Sequence, residues 1–257
     1  MPSYTRYVAL GDSQTEGLWD GNDETGLRGW ADRLSEHLAV ANPGMTYANL
    51  AVRGLRARQI RETQLDAAIA LKPDIATVLA GMNDAMRPSY DADAVTADLE
   101  AMFVGLTAAG ATVATLTFPD IGRIAPLAKP LRARVEDLNE RIRSTAARHG
   151  VVVVESTAHD VTTDPRIWST DRLHASPLGH ARIAAAMAHA LELPGSDDSW
   201  THPLVPLEPL PRLERAVIEA KWAAGFLGPW LVRRLRGQSS GDGREAKRPQ
   251  LLPVEVS

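Results

Sequence analysis

Five residues in four separate segments of the sequence have the types that acyl transfer requires. The hydroxyl of Ser13 could act as a nucleophile, and the imidazole of His174, three residues after the carboxylate of Asp171, could act as its base. The backbone N–H of Gly54 and the side-chain amide of Asn83 could donate hydrogen bonds to a developing oxyanion. Together these groups could cleave an ester without a metal ion or a cofactor.

Each of these residues, taken alone, also has an ordinary structural explanation. Ser13 could be a helix N-cap, a position at which serine is favoured, and Gly54 could be a turn residue that needs a positive φ. Asn83 stands in an Asn-Asp pair, which is common in turns. Asp171 and His174 could be a solvated surface pair. No single segment therefore decides the function.

Other kinds of site fit the same segments less well. The turn Gly11–Gly17 lacks the G-x-G-x-x-G spacing of dinucleotide sites, the G-K-[ST] of a P-loop and the G-x-S-x-G elbow of α/β-hydrolases. The carboxylate of Asp12 after the first strand disfavours a phosphate-binding, flavodoxin-like domain. A metal site would be built from Asp12, Asp84, Asp171 and His174. Because these residues lack a short paired spacing such as H-E-x-x-H, we expect neither a metal nor a cofactor.

Strand-like and helical segments alternate along the chain and must position these residues. The strand-like runs, which are apolar and partly β-branched, are Tyr4–Leu10, Thr46–Leu50, Asp74–Leu79, Ala111–Thr117 and Val151–Glu155. The helical patterns are Trp30–Val40, Arg56–Leu71, Ala92–Ala109, Leu131–Arg148 and Pro177–Leu191. This alternation predicts an open parallel sheet covered by helices on both faces. Such sheets bind ligands at the carboxyl ends of their strands, which is where the candidate residues fall.

The candidate segments, in this order along the chain, resemble the SGNH hydrolase family, whose members are also called GDSL esterases and lipases. The matching blocks are Gly11-Asp12-Ser13, Gly54, Gly81-Met82-Asn83-Asp84 and Asp171-Arg172-Leu173-His174. The resemblance extends from about Tyr4 to Leu193, and only Gln14 departs from the name-giving motif, which has leucine there. It implies a three-layer α/β/α, flavodoxin-like fold around a five-stranded parallel sheet.

The resemblance also implies a role for each matching residue. Ser13 is expected to be the nucleophile, His174 the general base and Asp171 the residue that orients His174. The oxyanion hole is expected to consist of the Ser13 N–H, the Gly54 N–H and the Asn83 side chain. Members of the family cleave lipid esters, thioesters, acetylated sugars and small esters.

We therefore predict a serine hydrolase that cleaves small or lipid-type carboxylic esters through an acyl-serine intermediate. One alternative is a deacetylase of acetylated carbohydrate. Another is a catalytically silent binding module that is recruited by its basic C-terminal tail, although such a module would not need all four blocks. Labelling by a fluorophosphonate would separate an enzyme from a silent module.

Composition excludes several classes of protein. The formal net charge is −4, which argues against a generic nucleic-acid binder. The absence of cysteine excludes disulfides, zinc-thiolate sites and a cysteine nucleophile. Neither a signal peptide nor a run of apolar residues long enough to span a membrane is evident, so a cytoplasmic soluble protein is expected. The oligomeric state is open.

The C-terminal part of the chain differs from the rest in composition. We predict a catalytic domain over residues 1–193, a proline-rich connector over 194–211, an amphipathic basic helical extension over 212–236 and a disordered tail over 237–257. The extension could pack on the catalytic domain, bind an anionic membrane or a protein partner, or form a flap at the mouth of the site. Because no catalytic candidate follows His174, truncation after Pro211 is expected to spare activity on soluble esters.

Overall fold

The computed structural model describes residues 4–208, 211–229 and 240–255, in which strands and helices alternate. The strands are β1 (Arg6–Gly11), β2 (Gly21–Asn22), β3 (Gly26–Leu27), β4 (Thr46–Asn49), β5 (Ile75–Leu79), β6 (Thr112–Leu116), β7 (Val152–Val154) and β8 (Arg248–Pro253). The helices are α1 (Ser13–Glu16), α2 (Trp30–Ala41), α3 (Ala57–Ala70), α4 (Met82–Ala85), α5 (Ala92–Ala108), α6 (Ile121–Ile124), α7 (Arg132–Arg148), α8 (Pro177–Ala190) and α9 (Arg212–Trp222). Every strand and helix predicted in the catalytic domain is present.

The central sheet has the strand order β7-β6-β5-β1-β4-β8. The strands from β7 to β4 run parallel, and in chain order they give the 2-1-3-4-5 arrangement of flavodoxin-like sheets. Helix α2 packs on α8, while α3, α5 and α7 pack beside one another. The chain therefore has the predicted α/β architecture of a mostly parallel sheet flanked by helices.

The buried residues explain why the strands read as continuous apolar runs. All five residues of β5 are buried, as are Tyr7 to Gly11 of β1, because helices cover both faces of the sheet. The largest fully buried side chains include Trp30, Tyr7, Tyr47 and Phe103. Tyr7 and Tyr47 stack on adjacent strands, with 5.0 Å between their ring centroids.

Strand β8 makes the sheet six-stranded rather than five-stranded, so the predicted strand number is wrong. It comes from the segment 237–257, which the sequence predicted to be a disordered tail. The prediction of disorder is wrong for the part of this segment that forms β8, since that part pairs with the sheet. Residues 237–239 and 256–257 lie outside the described residues.

The edge of β4 supplies the physical reason for this pairing. An edge strand exposes unpaired N–H and C=O groups, which β8 meets in antiparallel register with Leu252 opposite Tyr47. The Arg248 side chain adds two contacts, because its guanidinium lies 5.3 Å from the Tyr47 ring centroid and its Nε donates to the Tyr47 carbonyl at 2.8 Å. Pro249, which has no backbone N–H to donate, is tolerated in β8 because β8 is an edge strand.

The predicted helical extension is present over residues 212–227, as α9 followed by a π-helical turn, Ala223–Leu227. Its apolar side chains form two stripes, one through Leu213 and Val217 and the other through Ile218, Trp222 and Phe226. Leu213 of the first stripe is 78% exposed, whereas Trp222 of the second is 7% exposed. Of the second stripe, only Trp222 is therefore buried against the rest of the structure, while Ile218 and Phe226 stay partly exposed.

The expectation of a membrane contact concerns residues that follow α9. The basic segment 230–236, on which the predicted membrane contact largely depends, lies outside the described residues. Within the described ranges no helix is both long and apolar enough to cross a bilayer.

Candidate active site

The carboxyl ends of β1 and β5 bring two candidate residues to one edge of the sheet. Gly11 at the end of β1 is the register partner of Leu79 at the end of β5. Ser13 begins α1 directly after β1, and Asn83 lies in α4 directly after β5. Adjacent parallel strands thus place the serine and asparagine loops side by side.

The end of β1 is held rigidly before the turn that carries Ser13. The Gln64 amide of α3 accepts from the Gly11 N–H and donates to the Gly11 carbonyl, both at 2.9 Å. Asp12 caps α1, because its Oδ1 accepts from the Gln14 N–H at 3.2 Å. The Ser13 N–H belongs to the first helical turn, where no intrahelical acceptor exists, and among the described residues it donates no hydrogen bond. This N–H can therefore bind an incoming oxygen.

The Ser13 hydroxyl, the His174 imidazole and the Asp171 carboxylate form a hydrogen-bonded chain. Ser13 Oγ lies 2.8 Å from Nε2 of His174, and Nδ1 of His174 lies 2.7 Å from Oδ2 of Asp171. The loop before α8 supplies the imidazole and the carboxylate, 161 residues after the serine in sequence. An imidazole placed in this way can take the serine proton while the carboxylate stabilises the resulting imidazolium.

Asp171 is held by four hydrogen bonds besides the one to the imidazole of His174. Its Oδ1 accepts from Ser169 Oγ at 2.6 Å, from the Leu173 N–H at 2.9 Å and from the His174 N–H at 3.1 Å. Its Oδ2 accepts from the Trp19 indole at 2.7 Å. Burial opposes the charge, but the hydrogen bonds from His174 and Ser169 and the attraction of His174 outweigh it and hold the pKa of Asp171 well below its usual range. Asp171 is therefore an ionised partner for the imidazole.

Asn83 contacts both neighbouring loops. Its Nδ2 donates to Oδ2 of Asp12 at 2.9 Å and to the Leu55 carbonyl at 3.0 Å. Burial is the main cause that raises the pKa of Asp12 to about 6. The amide thus lies between the serine turn and the loop that contains Gly54, and an oxyanion would have to share its hydrogens with these acceptors.

Gly54 lies in a turn that a buried ion pair fixes in place. Its φ of 79° is in the left-handed region, which favours glycine. The preceding Arg53 is buried and pairs with the buried Glu16 of α1, with Nη2 of the arginine 2.6 Å from Oε1 of the glutamate. The Arg53 N–H also donates to Oε2 of Glu16 at 2.7 Å. Since the Gly54 N–H donates to no acceptor among the described residues, it too can bind an incoming oxygen.

Comparison with known proteins settles the family. The model of the GDSL-like Lipase/Acylhydrolase family matches residues 9–182, well over half of the 257 residues. The chain belongs to this family. It is therefore an SGNH-type esterase, as the four blocks of its sequence predicted, and ester hydrolysis is its reaction.

Solved structures similar to this esterase agree in fold. An α/β hydrolase enzyme from the metagenome of Lake Arreo, Spain, is 22% identical, with a TM-score of 0.63 over 75% of this chain and 97% of its own. An acetylxylan esterase from Geobacillus stearothermophilus is 18% identical, with a TM-score of 0.61 over 79% of this chain and 98% of its own. At these identities the likeness is one of fold. No curated protein is significantly similar to the esterase in sequence.

Gln14, which replaces the leucine of the family motif, links the two halves of the site. Its Oε1 accepts from the Ala175 N–H at 3.1 Å. The residue after His174 is thereby tied to the residue after Ser13. The departure from the motif adds a contact between the serine turn and the histidine loop.

The residues considered for a metal site face different partners. The Asp84 carboxylate accepts from the Ala57 N–H at the start of α3, at 3.0 Å, instead of joining Asp171 and His174. Burial raises the pKa of Asp84. In residues 4–208, 211–229 and 240–255, no group of three or more His, Cys, Asp or Glu side chains is arranged to hold a metal ion.

His180, which the sequence placed inside the last helix of the catalytic domain, has a structural role. Its Nδ1 accepts from the Trp30 N–H at 3.1 Å, and its Nε2 donates to the Leu18 carbonyl at 3.0 Å. Burial lowers its pKa to about 4, so the ring is neutral and joins α8 to α2.

Two tryptophans that were not among the predicted site residues contact Asp171. Trp19 donates to Asp171 Oδ2, as described above, and Trp222 of α9 donates to the Asp171 carbonyl at 3.1 Å. The only sequence signal for Trp222 was its place in the second apolar stripe with Phe226. Trp222 is buried against the loop of Asp171, which is the packing that the sequence left open as one arrangement of the extension.

Proposed function

We propose that the esterase cleaves carboxylic esters through an acyl-serine intermediate, with Ser13 as nucleophile, His174 as general base and Asp171 as the residue that orients His174. The observation that carries this proposal is the continuous hydrogen-bonded chain of 2.8 Å and 2.7 Å from Ser13 Oγ through His174 to Asp171. Ser13 is only 8% exposed and Asp171 only 9%. Their burial supports the proposal, because water competes less for these hydrogen bonds.

In the proposed cycle the serine oxygen attacks the ester carbonyl carbon while His174 Nε2 takes the serine proton. The tetrahedral intermediate then breaks its C–O bond to the alcohol, and the alcohol leaves with that proton. Water attacks the acyl-serine with His174 again as base, and the carboxylic acid is released as the Ser13 hydroxyl is restored. No electron transfer or co-reactant other than water is needed.

The proposed oxyanion hole consists of the Ser13 N–H, the Gly54 N–H and the Asn83 side-chain amide. Two observations support this assignment. Neither backbone N–H donates to an acceptor among the described residues. The amide is hydrogen-bonded to Asp12 and to Leu55, the residues next to Ser13 and Gly54, which puts all three donors within one small region.

We propose a small or lipid-type ester as the substrate. Support comes from apolar side chains that are partly exposed beside the triad. Trp19, in contact with Asp171, is 41% exposed, and Leu173, next to His174, is 37% exposed. Phe226 is also 37% exposed and meets Trp19 edge-on, with 6.4 Å between the ring centroids. Apolar surface of this kind favours an ester with a hydrocarbon group.

A second candidate is the deacetylation of an acetylated carbohydrate. The acetylxylan esterase from Geobacillus stearothermophilus among the similar folds favours it. Aromatic side chains beside the triad are compatible with a sugar ring as well as with an acyl chain. A catalytically silent binding module is disfavoured, because a silent protein would not need Ser13, His174 and Asp171 in hydrogen-bonding register.

A panel of substrates tests these proposals. We would measure kcat/KM for p-nitrophenyl esters from acetate to decanoate and for acetylated xylo-oligosaccharide, each with wild type and with Ser13→Ala. The main proposal predicts hydrolysis of p-nitrophenyl esters that requires Ser13. Much faster release of acetate from the oligosaccharide than from p-nitrophenyl acetate would favour the second candidate. No hydrolysis of any ester by the wild type would contradict both.

Other aspects of the function stay predictions. They are the cytoplasmic location and a contact of the extension 212–236 with an anionic membrane or a protein partner. A small-molecule ester follows from the family as the partner in the reaction.

A further inference from the structure

The C-terminal helix α9 contacts the loop that presents Asp171 to His174. Trp222 is buried and its indole N–H donates to the backbone carbonyl of Asp171 at 3.1 Å. The guanidinium of Arg172 lies 4.8 Å from the centre of the Trp222 ring, and its Nη1 bonds both carboxylate oxygens of Glu219 at 2.8 Å. Side chains from one turn of α9 therefore bind two consecutive residues of the loop that carries Asp171 and His174.

Arg172, whose side chain contacts α9, has a strained backbone. Arg172 has a φ of 59°, in the left-handed region that non-glycine residues adopt only at a cost. Such a conformation persists when its surroundings hold it. The Arg172 N–H donates to the Ser169 carbonyl at 3.0 Å, and its side chain is fixed between Glu219 and Trp222. The contacts from α9 thus favour the backbone shape that places Asp171.

A second strained residue is connected to the same helix. Trp19 has a φ of 74°, and its indole donates to the Asp171 oxygen that also faces His174. On its other side Trp19 meets Phe226, which follows α9 in the π-helical turn. Trp222 and Phe226 are therefore both connected to Asp171, Trp222 directly and Phe226 through Trp19.

We propose that Glu219, Trp222 and Phe226, here called the C-terminal brace, position Asp171 for catalysis. This inference rests on the proposed function, since it assigns Asp171 as the partner of His174. The brace touches no reacting atom. It fixes the carboxylate of Asp171 against Nδ1 of His174, and small displacements of such a pair reduce the rate of the chemical step. The C-terminal extension is then a working part of the active site, and truncation after Pro211 lowers activity instead of sparing it.

The experiment compares Trp222→Phe, Trp222→Ala, Glu219→Gln and Phe226→Ala with the wild type. Leu213→Ala, at a 78% exposed position on the same helix, is the matched control. For a short p-nitrophenyl ester we would measure kcat, KM and the pH profile of kcat/KM, and thermal unfolding for each variant. Trp222→Phe keeps an aromatic ring for Arg172 but removes the indole donor, so it isolates the hydrogen bond to Asp171.

The brace predicts a loss in kcat with little change in KM. Loss of one hydrogen bond corresponds to about a 3- to 10-fold decrease for Trp222→Phe, with a larger decrease for Trp222→Ala. A less firmly held carboxylate stabilises an imidazolium less, so the acid limb of the pH profile moves to lower pH. Leu213→Ala keeps the wild-type kcat and profile. If Trp222→Ala fails to fold, Trp222→Phe and Glu219→Gln decide.

Two results would overturn the proposal in distinguishable ways. Activity that requires Ser13 but keeps its wild-type kcat and pH profile in Trp222→Phe, Glu219→Gln and Phe226→Ala would refute the brace alone. Activity that survives Ser13→Ala would contradict the proposed function, and the brace with it.

Discussion

The side-chain amide of Asn83 donates a hydrogen bond of 2.9 Å to the carboxylate of Asp12. This contact joins a proposed oxyanion donor to the residue that caps the serine helix. The carboxylate is buried, and burial raises its pKa to about 6. The group that orients the amide is therefore one whose charge is disfavoured by its surroundings. Variants of Asp12 and of Asn83 can therefore test this arrangement directly.

Asp12 makes the stability of the esterase depend on pH in a defined direction. Its pKa rises from 3.8 in the unfolded chain to about 6 in the folded one, so the folded state holds the proton more tightly. The stabilisation linked to this proton is complete below about pH 4 and is lost as pH rises through about 6. Between pH 4 and 7 the free energy of unfolding of Asp12→Asn should therefore rise by about 2 kcal/mol relative to that of the wild type.

Urea unfolding of both proteins at several pH values measures this gain. The lost or altered hydrogen bonds of the variant shift the difference by a constant, and only its change with pH reports the ionisation of Asp12. A difference that is independent of pH would show that Asp12 titrates as an ordinary carboxyl group.

Asn83→Ala removes one of the proposed oxyanion donors. The loss of one such donor typically lowers kcat by about 10²–10³-fold, while the binding of the ground-state ester changes little. We therefore expect a large decrease in kcat and a small change in KM with p-nitrophenyl esters. An effect confined to KM would mean that Asn83 binds substrate and does not stabilise the developing charge.

The buried pair of Glu16 and Arg53 is expected to stabilise the fold and to hold the turn of Gly54. Arg53→Met leaves the Glu16 carboxylate without its charged partner, which typically costs about 3–5 kcal/mol of unfolding free energy. Because the turn also loosens, kcat should fall as well. The double variant Glu16→Gln with Arg53→Met removes the unpaired charge and keeps an acceptor for the backbone N–H at position 53. It should therefore recover part of the stability.

Chemical unfolding of both variants tests the pair, with Arg58→Met as the control. Arg58 pairs with Glu62 on the surface, where both side chains are well exposed, and such pairs contribute at most about 1 kcal/mol. A loss in Arg53→Met no larger than in Arg58→Met would argue that the buried pair is unimportant.

Ser13→Ala and His174→Ala should each lower turnover by several orders of magnitude. Because a nucleophile and its base act as a unit, the double variant should be little worse than either single one. Far-UV circular dichroism should barely change, since Ser13 Oγ and the His174 ring make few contacts outside the triad. Additive losses in the double variant would indicate that the two residues act independently.

The sequence predicted the parallel part of the sheet, and it placed the candidate site residues at the ends of its strands. Ser13, Gly54, Asn83 and the Asp171–His174 pair each follow a strand-like run or precede a capped helix start, and both signals are local. The parallel strands followed from runs of buried apolar residues, because β-strands covered on both faces have this pattern. Patterns of this kind depend only on neighbouring residues in the sequence, so they can be recognised without the tertiary structure.

The contacts of the C-terminal segment could not be predicted, because they depend on distant partners. Arg248 belongs to a proline-containing, charged stretch whose pairing is decided by the open edge of β4. Trp222 shows only helical periodicity in the sequence, and nothing local indicates that its indole N–H meets the Asp171 carbonyl, 51 residues earlier. The contact of Gln14 with the Ala175 N–H, 161 residues later, likewise has no local signal in the sequence.

The most direct test of the central claim, that Ser13 is the nucleophile, is intact-mass spectrometry after reaction with a fluorophosphonate, followed by peptide mapping. A fluorophosphonate forms a stable phosphoester with an activated serine as fluoride leaves, so one adduct per chain is expected on the wild type, located at Ser13. Ser13→Ala should take up no adduct, and His174→Ala should react far more slowly because its serine lacks a base. An adduct on another residue, or equal labelling of Ser13→Ala and wild type, would contradict the account.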